Sequence, residues 1–355
     1  MRLVNINYVA EGSILAKAVR DANGRVLLGE GVVLTSKYLD RLAKLGFDML
    51  FIKDERFEDI EIKYAISDKT KELAYNAVHT VTKALGDDSK TGIDTGSVRN
   101  AVSNIIEDLL CSFDVLSSLT DINGYDEYTY HHSVNTTVLS LVLGIAKGYP
   151  QSKLLELGMG VLLHDVGKTN VPKQIINKKS SLSKEDFEEI KKHPAFGYDF
   201  VRRYRDFSIH SAHVAFQHHE KWTGGGYPRG LKGSAIHEYG RIAAIADVYD
   251  ALTSKRPYRD ALEPNQAYEY VMAQSGFHFD PQLVRLFINN IAAYPTGMGV
   301  LLSNGLRGNV IRQNRGLPNR PIVRAINYGD KPLPKPIDIN LAHHLNLVIV
   351  KVENF

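Results

Sequence analysis

The 355-residue sequence holds a single cysteine, Cys111, so it has no partner for an internal disulfide, and cysteine-based zinc fingers are excluded. No stretch approaches the roughly 20 consecutive apolar residues that a membrane helix requires; the longest run is Val138 to Ala146. The opening MRLVNINYVAEGS lacks a basic region followed by a long apolar segment, and its alternation reads as a strand rather than a signal peptide. A cytoplasmic protein with no membrane partner is therefore expected. A dominant charge is missing too. With 43 Lys plus Arg against 40 Asp plus Glu the formal charge is +3, which gives no footprint for a nucleic acid polymer. An anionic ligand then needs a local site. What is present, 44% hydrophobic and 23% charged residues, is the composition of a globular chain, and the length predicts two or three domains.

Residues 1–64 carry short β-rich runs, VNINYV, SILAKAVR, VLLGEGVVL and MLFIK, interrupted by one helix. In TSKYLDRLAKLGFD, Ser36 is the expected N-cap and Gly46 the stop, and a turn is expected at Asn23-Gly24. This predicts a small α+β module. Residues 65–123 predict a helical linker or hairpin. There Val98, Val102, Ile105, Leu109 and Leu116 approximate heptad spacing, which permits a homodimer seam, although packing against neighbouring helices is the simpler reading. Helical patterning continues to about residue 294. From 295 to 355 glycine and proline rise, and β-prone runs at 299–302, 309–312, 321–326 and 347–352 predict a small β module. The fold class expected is mainly α, with a small module at each end.

Ten of the 13 histidines fall between His131 and His278, interleaved with acids: His132, His164-Asp165, His193, His218-His219 and Asp247. Imidazole nitrogen and carboxylate oxygen together suit first-row transition ions. The segment SKLLELGMGVLLHDV, Ser152 to Val166, reads as a helix apolar round most of its circumference. An imidazole and a carboxylate at the end of such a segment are costly unless compensated, and a metal compensates them. Lys168 follows four residues after His164 and three after Asp165, so a last turn extended that far places its ammonium on their face. Pro172 limits continuation of the helix.

His218-His219 precede EKWTGGGYPRG, whose Gly224 to Gly226 allow positive φ and close backbone approach. Asp247 lies in RIAAIADVYDALTSKRPYRD, and Asp250, three residues on, shares its face and can orient a ligand histidine. Arg256 and Arg259 offer planar forks suited to phosphate. His79, His131, His210, His213, His237, His278, His343 and His344 are read as surface or packing residues, and Cys111 as a packing residue.

In order, DEYTYHHS, LLHDVGK, the His193 segment, HHEKWTGGGYP and DVYDALTSKRPYR resemble the HD-GYP subgroup of HD-domain metal-dependent phosphohydrolases over about residues 124–290. The resemblance implies an all-helical HD-GYP catalytic domain at 124–294 that hydrolyses the bacterial second messenger cyclic di-GMP to linear pGpG or GMP. It implies two divalent transition-metal ions, iron or manganese, with cobalt or nickel also accepted by the same donors. Carried over by position, the metal ligands are His132, His164, Asp165, His193, His218, His219 and Asp247. Asp165 and Lys168 become the catalytic pair; Lys168, Gly226, Tyr227, Pro228, Arg256 and Arg259 become substrate contacts. Members with a third metal carry a Glu four residues before the first ligand, where this chain has Tyr128, so two metals are implied.

On this reading Asp165 bridges the ions, one also held by His132, His164 and Asp247, the other by His193, His218 and His219. A metal-bridging hydroxide is then the expected nucleophile. Two divalent ions, two carboxylates and that hydroxide leave about one net positive charge to attract a phosphodiester. Lys168 stabilises developing charge on the phosphate. Two alternatives stand beside this reading. One keeps the chemistry and changes the substrate to cyclic GMP-AMP or another phosphoester. The other is a catalytically silent domain that binds a protein partner through Gly226-Tyr227-Pro228, with Tyr227 as an exposed contact.

Overall fold

The computed structural model describes residues 1–20, 25–60, 64–86, 93–112, 128–176, 178, 181–254 and 261–353. Near the start, β1 (Arg2–Asn5) pairs antiparallel with β4 (Met49–Ile52), and β2 (Val19–Arg20) with β3 (Val26–Leu28). Helix α1 (Ser36–Lys44) lies between β3 and β4, and its Leu42 joins Leu15, Leu34, Phe47 and Leu50 in a small core. Its N-cap is Thr35, whose hydroxyl accepts the Tyr38 amide, rather than Ser36. Ser36 is already helical and its hydroxyl donates to Glu11. Gly46 stops the helix at φ +85°, a conformation that costs glycine least. The Asn23-Gly24 turn lies outside the described residues.

The central body is helical: α2 (Asp68–Gly86), α3 (Thr95–Cys111), α4 (Tyr128–Ala146), α5 (Gln151–Leu162), α6 (Lys173–Ile176), α7 (Lys184–Ile190), α8 (His193–Val201), α9 (Ile209–Gln217), α10 (Glu238–Thr253), α11 (Pro264–Ala273) and α12 (Pro281–Asn290). Helix α5 runs through the centre, touching α3, α4 and α9, while α10 packs on α4 and α9. Small residues set these approaches. A β-carbon on Gly158 of α5 would come within 2.5 Å of the Val102 side chain on α3. Val98, Val102, Ile105 and Leu109 all face this shared core, so the heptad-like stripe is used inside the chain, as bundle packing requires. Leu116 lies outside the described residues. Cys111 is exposed rather than packed, because two positions beyond buried Leu109 the helix has turned about 200°. Among the described residues no helix is long and apolar enough to cross a membrane.

The last module is a five-stranded antiparallel sheet of β5 (Gly299–Leu302), β6 (Leu306–Arg312), β7 (Ile322–Tyr328), β8 (Lys331–Asn340) and β9 (Ile349–Val352), ordered β8-β7-β6-β5-β9. Strand β8 was not foreseen, since Pro332, Pro334 and Pro336 argue against a central strand. It sits at the sheet edge. Pro334 and Pro336 fall in the bulged stretch between Pro332, opposite Asn327, and Ile337, opposite Ala325, and an edge strand needs only one side paired. The two end modules also meet each other. The Leu3 amide donates to the Gly297 carbonyl at 3.1 Å, and Phe57 is buried with Ile311 and Ile326. Arg324 pairs with Asp59 of the first module and Asp338 of the second.

Candidate metal centre

Four histidines converge on the interior with their tautomers set by the backbone or a carboxylate. His164 closes the turn after α5 and its Nδ1 donates to the Val161 carbonyl at 2.8 Å. His193 opens α8 with Nδ1 on the Ile190 carbonyl at 2.7 Å, and His218 follows α9 with Nδ1 on the Val214 carbonyl at 3.1 Å. His132 on α4 donates Nδ1–H to Asp250 of α10 at 2.7 Å. Carbonyls and ionised carboxylates only accept, so each Nδ1 carries a proton, and the neutral rings of His164, His193 and His218 turn a bare Nε2 inward.

The inward atoms form two groups: Asp165, His193, His218 and His219 in one, and His132, His164 and Asp247 in the other, each with donor atoms within 4.8 Å of one another. Asp165 faces both. Its Oδ1 lies 3.4 Å from His193 Nε2 and 3.8 Å from His218 Nε2. Its Oδ2 lies 3.5 Å from His164 Nε2 and 3.8 Å from His132 Nε2. Asp247 likewise directs Oδ1 to His132 at 3.0 Å and Oδ2 to His219 at 3.8 Å.

Electrostatics test whether cations fit. His193 and His218 hold their Nε2 atoms 3.3 Å apart, two lone pairs opposed, because both Nδ1 protons go to carbonyls. Protonating either ring is disfavoured: burial drives His193 down to about 3 and His218 well below the usual imidazole value. His164 Nε2 and Asp165 Oδ1 are buried with no hydrogen-bond partner. Burial pushes the carboxyls of Asp165 and Asp247 up, yet Lys168 and the histidines around Asp165, and His132 beside Asp247, hold both well below the usual carboxylate range. Burial pulls His132 down, but Asp247 and Asp250 outweigh it and hold that ring at about 9, with a proton standing where a cation fits. Opposed lone pairs, an orphaned nitrogen and two ionised carboxylates suit divalent transition ions with mixed N and O preference.

Asp250 is in turn fixed by Asn135, whose amide donates to Oδ1 at 2.9 Å, and by the Ser254 hydroxyl. Asn135 was missed in the sequence, although it lies one turn after His132 on the same face of α4. Asp250→Ala is expected to weaken metal binding by about 10- to 100-fold, measured by competition with a chromogenic chelator. Unchanged affinity would separate Asp250 from the centre.

Lys168 reaches Asp165, Nζ to Oδ2 2.5 Å, by a route other than the one expected. Helix α5 ends at Leu162, and Val166–Asn170 form a 3₁₀ segment. In a 3₁₀ turn positions i and i+3 eclipse, so the lysine stands over Asp165 rather than on a shared α-helical face with His164. Gly167 inside this turn lies against α8; a β-carbon there would fall 2.0 Å from the His193 carbonyl oxygen and 2.5 Å from the Gly197 nitrogen.

The glycine loop borders the centre. Gly224 and Gly225 take φ of +90° and +77°, and Gly226 approaches the backbone so closely that a β-carbon would meet Glu220 Cα at 2.5 Å. Glu220, 2% exposed, accepts the Arg229 and Leu231 amides at 2.8 and 2.9 Å and ties the loop down. No periodicity marks it; only its place directly after the histidine pair could have drawn notice. Tyr227 is half-buried, its ring on His219 at 4.7 Å and 30°, rather than an exposed contact, because the close approach of Gly226 draws it inward. Pro228 is exposed. Arg256 and Arg259 lie outside the described residues, and nothing is described of the Tyr128 side chain.

The HD domain matches residues 103–283, just over half of the chain and all of this centre. The chain belongs to the HD domain family. This HD domain protein is 34% identical over 260 residues to a cyclic di-GMP phosphodiesterase of Pseudomonas aeruginosa, covering 72% of this chain and 63% of that one. It is 43% identical over 129 residues to a 3′3′-cGAMP-specific phosphodiesterase of Vibrio cholerae, covering 36% of this chain and 25% of that one. The chain thus spans less than two thirds of the length of these relatives. Its fold is similar to that of an HDG"Y"P protein from Bdellovibrio bacteriovorus, with a TM-score of 0.53 at 19% identity, over 80% of this chain and 97% of that one.

Proposed function

We propose that this HD domain protein is a metal-dependent phosphodiesterase that hydrolyses cyclic di-GMP to pGpG or GMP. The observation that carries the reading is Asp165, one buried carboxylate shared by two groups of inward-facing donors. His132, His164 and Asp247 would hold one divalent ion and His193, His218 and His219 the other, with an oxygen of Asp165 toward each. Such ions supply Lewis acidity and lower the pKa of water from 15.7 to roughly 7. Lys168, a donor with no acceptor capacity, sits beside Asp165 and is placed to hold a phosphate oxygen and to stabilise charge that develops on it. Gly226, by its close backbone approach, and Pro228 shape the loop, and Tyr227 walls the centre over His219. Arg256 and Arg259 are proposed as phosphate contacts.

Purified protein loaded with iron under anaerobic conditions, or with manganese, is expected to consume cyclic di-GMP, with products followed by chromatography. No turnover with either metal would refute the reading. Lys168→Met is expected to lower kcat by about 10²- to 10³-fold with both ions retained by elemental analysis. A parallel loss of metal would make Lys168 a support for Asp165 instead. The Vibrio relative named for 3′3′-cGAMP supports a second reading of the substrate, ranked by competing the two cyclic dinucleotides in one reaction.

A further inference from the structure

Beyond Tyr227 the aromatic surface continues. Phe187 on α7 stands edge-on to Tyr227, ring centroids 6.3 Å apart at 80°, and 43% of Phe187 is exposed. Lys191, just after α7, holds its ammonium 4.8 Å from the Phe187 centroid and 6.0 Å from that of Tyr227. One of its donors goes to Glu188 at 2.6 Å. Neither Phe187 nor Lys191 has a part in ligating metal, and an open aromatic ring next to a buried polar centre is not needed by the core.

This corner is held in register with the centre. A capping box of Ser183 and Asp186 fixes the start of α7, and Lys178 pairs with the same Asp186. At its end the Ile190 carbonyl accepts Nδ1 of His193. A short rigid segment therefore carries both the exposed ring and the backbone atom that orients a candidate ligand.

We propose that Phe187, Tyr227 and Lys191 form a subsite for one purine base of the substrate and that Lys191 favours guanine over adenine. The inference rests on the cyclic dinucleotide reading above. Bases stack on aromatic side chains whatever their identity, since each has a π-face, so the two perpendicular rings supply binding without selection. Selection comes from the ammonium, which has three donors and no acceptor. Guanine presents O6 and N7 as adjacent acceptors, whereas adenine sets an N6 amino donor beside N7. With one donor on Glu188, Lys191 keeps two for guanine's two acceptors, and adenine's amino group opposes one of them.

The test is calorimetric binding of GMP and of AMP to the metal-free 355-residue chain, alongside steady-state kinetics of the metal-loaded protein on cyclic di-GMP. Phe187→Ala is expected to weaken both nucleotides at least about fivefold and to raise KM more than it lowers kcat, while Phe187→Trp retains binding. Lys191→Met is expected to weaken GMP and spare AMP. Undetectable GMP binding by the wild type at millimolar concentration, or GMP binding unchanged in Phe187→Ala, overturns the subsite. Equal losses of GMP and AMP in Lys191→Met overturn the guanine preference. A wild type that binds GMP through Phe187 yet hydrolyses no cyclic dinucleotide upholds the subsite and sinks the proposed activity.

Discussion

Asp165→Ala is expected to leave the purified protein with fewer than two bound ions and to lower kcat/KM on cyclic di-GMP by at least about 10³-fold. A catalytic ion supplies several kcal/mol of charge stabilisation in the transition state, and each 1.36 kcal/mol is tenfold in rate. The expectation follows from the position of the carboxylate. Its Oδ1 faces His193 and His218 while its Oδ2 faces His132 and His164, so both groups lose an anionic donor in one substitution. Asp165→Asn, which keeps the shape and loses the charge, is expected to fail similarly. Two ions and full turnover in either variant would disprove the shared role.

Gly167→Ala is expected to destabilise the fold by about 3 kcal/mol or more, a fall in Tm of about 4 °C or more, and to reduce metal content with it. The added carbon would sit 2.0 Å from the His193 carbonyl oxygen and 2.5 Å from the Gly197 nitrogen, both backbone atoms of α8 rather than ends of flexible side chains. Helix α8 must move, and His193 is its first residue. Gly29→Ala is the control, since a β-carbon there meets nothing within 4 Å. A Tm for Gly167→Ala equal to that of the control would show that α8 can shift freely.

The candidate donor types and their order along the chain were legible before any coordinates, because metal chemistry restricts donors to a few side chains. Asp250 was legible for a similar reason: one helical turn from Asp247, it had to share that face. Less was legible where backbone geometry does the work. Lys168 was expected on an α-helical face, yet it reaches Asp165 through a 3₁₀ turn. Glu220 gave no periodic signal, since its partners are loop amides, and Asn135, although one turn from His132, has its partner 115 positions away. Strand β8 was hidden by prolines that only an edge position tolerates. Contact between the two end modules, through Phe57 and Arg324, joins segments more than 250 residues apart and has no local signature.

The amino-acid sequence by itself determined which donors are available, that thiolates are not among them, and that the middle of the chain is helical. It did so because side-chain chemistry and hydrophobic period are properties of short stretches. Only the tertiary structure decided which nitrogen of each histidine faces inward, that Asp165 stands between two donor groups, and that Tyr227 lies on His219 with Phe187 beside it. Those outcomes depend on where carbonyls, helix ends and close backbone approaches meet in space, and distances between remote residues are set by packing rather than by any stretch of chain.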